Sequence, residues 1–208
     1  MKVMDWAIQR IEKLLEADRR VIIGIVAPPG GGKSTLAEAV HKHFPEQSAL
    51  VPMDGFHLAN SQLDRLGLRQ KKGAPETFNA GGYVRLLQDL RIQPPGSTLY
   101  APEFRRAMEE PIANALAVHS RTPIVITEGN YLLLDDRPWD KIRPLLDESW
   151  FLDLPDSERL SRLVARHMQY GRSEEEAKAW ARSTDEPNAI RVAASRHYAT
   201  FCLHDPEH

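Results

Sequence analysis

A run near the N-terminus, Ala27-Pro28-Pro29-Gly30-Gly31-Gly32-Lys33-Ser34-Thr35, carries the residue types that polyphosphate chemistry requires. Glycines let backbone N–H groups approach an anion closely. A helix beginning near Lys33 adds the positive end of its dipole. Lys33 can reach the β- and γ-phosphates of a nucleotide, and the Ser34 hydroxyl can bind Mg2+. The pattern is a Walker A phosphate loop with one departure, Ala27 in place of its first glycine. Alanine is the smallest replacement and does little damage unless that residue needs a positive φ. A glycine-rich turn with no ligand is the bland alternative. The apolar strand before the loop, the Gly-Lys-Ser-Thr closure and the amphipathic helix after it argue against that. Pro29, Gly30, Gly31, Gly32, Lys33, Ser34 and Thr35 are therefore the candidate nucleotide contacts, with ATP and Mg2+ as cofactors.

Phosphoryl transfer to an alcohol needs a group that accepts the hydroxyl proton. Asp54 is the candidate, since it follows an apolar strand and precedes Gly55. A turn or helix cap is its ordinary alternative, because Asp-Gly is a common turn pair. Glu128 ends the run Ile124–Thr127, where phosphate-loop proteins often place an acid that holds Mg2+ directly or through water. A metal role and a substrate role stay open for it. Arg159, Arg162 and Arg166 share one helix face by their spacing, and Arg172 follows Gly171. A solvated face explains such a helix alone. With a phosphate loop upstream, Arg162, Arg166 or Arg172 becomes a candidate lid cation that stabilises transition-state charge.

The elements that must position these residues are legible as periodicities. Val21–Ala27, Ala49–Met53, Pro123–Gly129 and Trp150–Leu154 read as strands, mostly apolar runs of the kind that parallel sheets bury on both faces. Helices are expected over Lys33–His43, Tyr83–Ile92, Asp156–Tyr170, Glu174–Arg182 and Asn188–Arg196. Thr98–Phe104 is a weaker extended stretch, and Thr200–Leu203 a last strand. From Gly55 to Gly82 the sequence turns polar and irregular, as functional loops do. Alternating strands and helices imply an α/β fold with helices on both faces of a parallel sheet, binding ligands beyond the strands' carboxyl ends.

Composition narrows the classes. The 208 residues suit a single domain over 1–208, and 42% hydrophobic with 27% charged residues is ordinary for a globular chain. A net charge of −2 gives no bulk reason to bind nucleic acid or an anionic membrane. The lone cysteine, Cys202, offers neither a disulfide framework nor a cysteine metal cluster. Residues 1–20 read as an amphipathic helix rather than a signal peptide, and no apolar run is long enough for a transmembrane helix. A cytoplasmic protein without membrane insertion is the expectation.

Ala27–Thr35, "VPMDGFHLAN" at Val51–Asn60, "ITEGNYLLL" at Ile126–Leu134, "FLDLP" at Phe151–Pro155 and "RLVARHMQYGRS" at Arg162–Ser173 occur in a familiar order. The chain resembles the uridine kinase, pantothenate kinase and phosphoribulokinase group of P-loop kinases. Its "MDGFHL" form is most similar to the bacterial branch named fructose transport system kinase, or fructokinase-like. The resemblance implies a three-layer P-loop NTPase fold: a mostly parallel five-stranded sheet, helices on both faces, a substrate-side loop region over 55–82 and a helical lid over 156–182. It implies that Asp54 is the base, that Glu128 and Gly129 follow the Walker B-like strand, and that Arg162, Arg166 and Arg172 belong to the lid. It also implies that Asp185, Pro187 and Asn188 line the adenine pocket, and that His57 and Tyr100–Arg106 lie at the acceptor. Relatives of this branch carry a Pro-x-Phe-Asp run in that segment. Here the run is Pro102-Glu103-Phe104-Arg105, so Arg105 replaces the acid and suits an acceptor bearing a carboxylate or phosphate.

The expected function is transfer of the ATP γ-phosphoryl group to a hydroxyl of a small molecule, a fructose-like sugar first. Pantothenate, a nucleoside or glycerate are the alternative acceptors, and a regulatory nucleotide-dependent switch is the alternative of another class. The acceptor is the only partner implied, for a monomer or homodimer. Fold likeness alone does not name it.

Overall fold

The computed structural model describes residues 2–204. In chain order the regular elements are α1 (Val3–Leu15), β1 (Val21–Val26), α2 (Lys33–His43), β2 (Ser48–Leu50), α3 (Asn60–Leu66), α4 (Ala80–Arg91), β3 (Thr98–Arg105), β4 (Glu110–His119), β5 (Ile124–Gly129), β6 (Glu148–Leu152), α5 (Asp156–Gln169), α6 (Glu174–Trp180), α7 (Glu186–Ala194) and β7 (Phe201–Leu203). Five strands form one parallel sheet in the order β2-β5-β1-β6-β7, and β3 and β4 pair as a separate antiparallel hairpin.

The unbroken apolar run of β1 follows from burial on both faces. Ile22 and Val26 point into one cluster with Val51, Tyr83, Leu87, Phe151 and Val192. Val21, Ile23 and Ile25 point into the opposite one with Ile11, Ala37, Val40 and Trp150. The two-residue side-chain period of a strand sorts these sets without any polar interruption. Helices α1 and α2 cover one face, and α4 and α7 the other. Register then fixes the site: Ile25 lies opposite Glu128, and Val26 opposite Gly129. The loop leaving β1 and the acid at the end of β5 are therefore neighbours at one edge of the sheet.

Several expectations from sequence need correction. The expected strand Ala49–Met53 is β2, ending at Leu50, although the Val51 N–H still donates to Ile126 O at 2.8 Å. Pro52 cannot donate to a ladder, and Met53–Phe56 fold into a 3-10 turn that carries Asp54. The loop region 55–82 contains α3 and two further 3-10 turns. Helix α4 begins at Ala80 rather than Tyr83, because the Asn79 side chain accepts from the Gly82 N–H at 2.9 Å and caps the turn. Strand β4 was not expected at all. The two helices expected at Glu174–Arg182 and Asn188–Arg196 are joined by a π turn, Ala181–Asp185, running straight into α7. Pro187 lacks an N–H for a regular ladder there, which accounts for a widened turn. No helix among the described residues is long and apolar enough to cross a membrane.

One buried polar link ties α4 to the strand that carries Glu128. The Thr127 hydroxyl donates to Val51 O at 2.6 Å and shares a hydrogen bond with the Tyr83 hydroxyl. Both residues are fully buried. Tyr83→Phe should lower stability by about 1 kcal/mol, the net worth of a buried hydrogen bond. A urea titration would show a lower midpoint with an unchanged slope.

Candidate active site

The phosphate loop spans the turn from β1 into α2. Gly30 has φ +83°, a conformation that L side chains rarely adopt. A Cβ on Gly30 would lie 2.6 Å from the carbonyl oxygen of Arg159, so the loop packs directly on the backbone of α5. Ala27 is not among the positive-φ residues, which explains why alanine serves where the pattern has glycine. Arg159 is 2% exposed and binds Asp156, Glu186 and the carbonyl of Pro29. It braces the loop from behind and is not free for a ligand. Lys33 is buried in the first turn of α2. The Ser34 hydroxyl donates to Glu128 Oε1 at 3.0 Å, while Glu128 Oε2 is buried without a partner.

Asp54 sits across from this loop. Its turn packs against the hairpin so closely that a Cβ on Gly55 would collide with the Pro102 carbonyl. The nearest cation is Arg106, whose Nη2 lies 3.5 Å from Asp54 Oδ2. Burial would push the Asp54 carboxyl up, but Lys33, Arg106 and Arg166, joined by His57 when its ring is protonated, outweigh it and hold the group below the ordinary carboxylate range. Burial also lowers His57 below the usual imidazole value, so His57 is neutral at neutral pH. A neutral ring donates its Nδ1–H to Asp54 O at 2.8 Å, and the charge around the carboxylate comes from Lys33, Arg106 and Arg166. Glu128 moves the other way. Burial raises it, the Asp54 charge adds to the rise, and Lys33, Ser34 and Arg106 offset only part. Two carboxyls beside one loop are thus driven apart in acidity, the usual sign of a division of roles.

The cations of α5 reach the same place. Arg162, paired with Glu158, and Arg166 line a cavity of about 270 Å³ with Gly30, Gly32, Lys33 and Ser34. Burial and the neighbouring Arg106 both lower Arg166. A second cavity of about 580 Å³ joins Pro29, Lys33, Asp54, His57, Arg166, Arg172 and Asn188. Arg172 stacks on Trp180 at 4.0 Å, and Asn188 Nδ2 donates to Thr184 O at 2.9 Å. Asp185 pairs with His167 at 2.8 Å on the rim. His57 lies between the rings of Phe78 and Phe104, at 4.0 and 4.6 Å. Phe78 and Phe104 therefore line the chamber, whereas Phe56 and Tyr83 are core and Tyr100 is exposed.

Arg105 is not brought to the site. Its side chain is 56% exposed and pairs with Glu103 at 3.1 Å. Its neighbour Arg106, with a side chain 42% exposed, borders the phosphate cavity, the chamber and a third cavity of about 680 Å³ under the hairpin. Alternation along an extended chain sends adjacent side chains to opposite sides, and without β4 nothing in the sequence chooses between the two arginines.

The geometry agrees with what the chain is similar to. The profile of the Phosphoribulokinase / Uridine kinase family matches residues 22–190. YggC of Escherichia coli (strain K12) is 38% identical over 190 residues, which cover 89% of this chain and 78% of that protein. A candidate uridine kinase of Schizosaccharomyces pombe is 34% identical over 90% of this chain and 83% of its own. Among solved structures, a candidate fructose transport system kinase from Silicibacter sp. TM1040 superposes with a TM-score of 0.82 at 36% identity, covering 89% of this chain and 90% of that one. YFH7 of Saccharomyces cerevisiae, a P-loop fold at 18% identity, superposes with a TM-score of 0.81. With a phosphate loop, a five-stranded parallel sheet and a profile match over most of its length, this chain belongs to the phosphoribulokinase / uridine kinase family of phosphotransferases.

Proposed function

We propose that this kinase moves the γ-phosphoryl group of MgATP onto a hydroxyl of a small molecule, a fructose-like sugar being the first acceptor. The observation that carries the proposal is that Lys33, Asp54, Arg106 and Arg166 line one cavity, with Asp54 held ionised by the cations around it. In this reading the backbone of Pro29–Thr35 and Lys33 hold the phosphates, Arg162, Arg166 and Arg172 close over them, and Asn188 lies at the adenine. Asp54 takes the proton of the attacking hydroxyl, and His57, between its two aromatic neighbours, lines the acceptor side.

Mg2+ suits the donors present. The Ser34 hydroxyl and the partnerless Glu128 Oε2 are oxygen donors, and both residues line the cavity under the hairpin with Asp54 and Arg106. Mg2+ takes one or two protein oxygens and completes its shell with phosphates and water. That fits a site where, among the described residues, no three His, Cys, Asp or Glu side chains cluster to hold a metal. Bound there, the ion would neutralise charge on the phosphate oxygens. Glu128 serves this ion or the acceptor, and its raised pKa favours a role that a nearby cation would complete. The sugar rests on the name carried by the Silicibacter relative.

Asp54→Asn should reduce turnover by about 10²–10⁴-fold, the usual contribution of a positioned base, and leave ATP binding intact. Coupled ADP release with the true acceptor measures the first, and equilibrium dialysis the second. Normal turnover in the variant would remove Asp54 from the mechanism. Incubation with MgATP and a panel of sugars, nucleosides, pantothenate and glycerate should give ADP release with one acceptor class, fructose-like sugars first. Turnover indifferent to every acceptor would favour a regulatory switch instead.

A further inference from the structure

Among the described residues, only Arg106 borders all three cavities around the phosphate loop. Lys33 faces two of them and Asp54 two. The point common to all three is where a nucleotide's terminal phosphate would meet an acceptor from the other side. Arg106 stands on the turn between β3 and β4, and that turn is anchored. Glu110 accepts from the Asn60 N–H at 3.1 Å, and Lys72 Nζ donates to Glu109 O at 2.5 Å. The guanidinium is thus presented from a pinned backbone and not from a loose loop.

Its partnership is weak for an arginine so placed. The contact with Asp54 is 3.5 Å, beyond the usual length of a charge-assisted hydrogen bond. Four neighbouring arginines are committed elsewhere: Arg159 to Asp156 and Glu186, Arg162 to Glu158, Arg105 to Glu103, and Arg172 to the face of Trp180. Lys33, Arg106 and Arg166 crowd about one carboxylate, an excess of positive charge that an incoming polyanion would relieve.

We propose that Arg106 is a catalytic residue that leaves Asp54 to bind the transferring phosphoryl group from the acceptor side, so that arrival of the γ-phosphate frees the base. The proposal rests on the kinase reading of this site and adds a residue and an order of events to it. Arg106 lies 3.5 Å from Asp54 Oδ2, close enough to compete for the carboxylate that must accept the proton. A γ-phosphate offers the planar guanidinium two oxygens at once, a better partner than one distant carboxylate oxygen. Once Arg106 turns to it, the Asp54 carboxylate is free to accept a proton.

The test needs no acceptor. Calorimetry would compare MgADP with the magnesium complex of the non-hydrolysable analogue AMPPNP, on the wild type, Arg106→Met and Arg106→Lys, with melting curves to show that each variant folds. Arg106→Met should lose about tenfold or more in affinity for the AMPPNP complex, with MgADP affinity unchanged. Arg106→Lys should keep part of the preference, because a point charge cannot bind both oxygens. Equal weakening of both nucleotides would make Arg106 a structural support, and no change in either would remove it from the phosphate; each overturns the proposal. If the folded wild type bound neither nucleotide, the kinase reading itself would fall, which is a different result from the other two.

Discussion

Positive charge gathered at the carboxyl ends of a parallel sheet is the constraint on which the site depends. Lys33, Arg106 and Arg166 surround Asp54, and Arg162 stands beside the phosphate loop. Cations this close raise one another's energy unless an anion is shared between them. The protein supplies two carboxyls, and the electrostatics treat them differently. Asp54 is kept ionised, whereas Glu128, deeper and with one oxygen unpartnered, is driven toward its neutral form. A polyphosphate with its metal would satisfy both: it shares the cations and lends Glu128 a positive partner.

The scaffold serves this arrangement through close approach. Strand register sets Glu128 beside the end of β1, and the absence of a side chain at Gly30 lets the loop rest on α5. Gly55 does the same for Asp54 against the hairpin. Arg159, bound behind the loop, shows that membership of an arginine face does not make a residue a ligand. Burial and pairing decide it.

Much of this was legible in the sequence because the phosphate loop is contiguous, and its chemistry requires a strand before it and a helix after it. Strands β1 and β5 were legible because parallel strands buried on both faces must be apolar throughout. The hairpin was not. Strand β4 is largely exposed and rich in alanine, so it carries no clear alternation, and its pairing partner β3 precedes it across a turn without a glycine. Missing β4 also cost the site: the motif pointed to Arg105, while it is Arg106 that borders the cavities. The 55–82 region looked irregular because short turns stabilised by side-chain caps and tertiary contacts leave no period to read. The π turn at Ala181–Asp185 is likewise a property of packing, with only Pro187 as a local hint.

The account turns on whether this crowd of cations exists to hold a nucleotide's phosphates. Titration of the chain with MgATP in a calorimeter measures that directly. Saturable binding at one site per chain is predicted, weakened about 10–100-fold in Lys33→Ala, as loss of a charge-assisted contact implies. Absence of binding, or binding that Lys33→Ala leaves untouched, would contradict it.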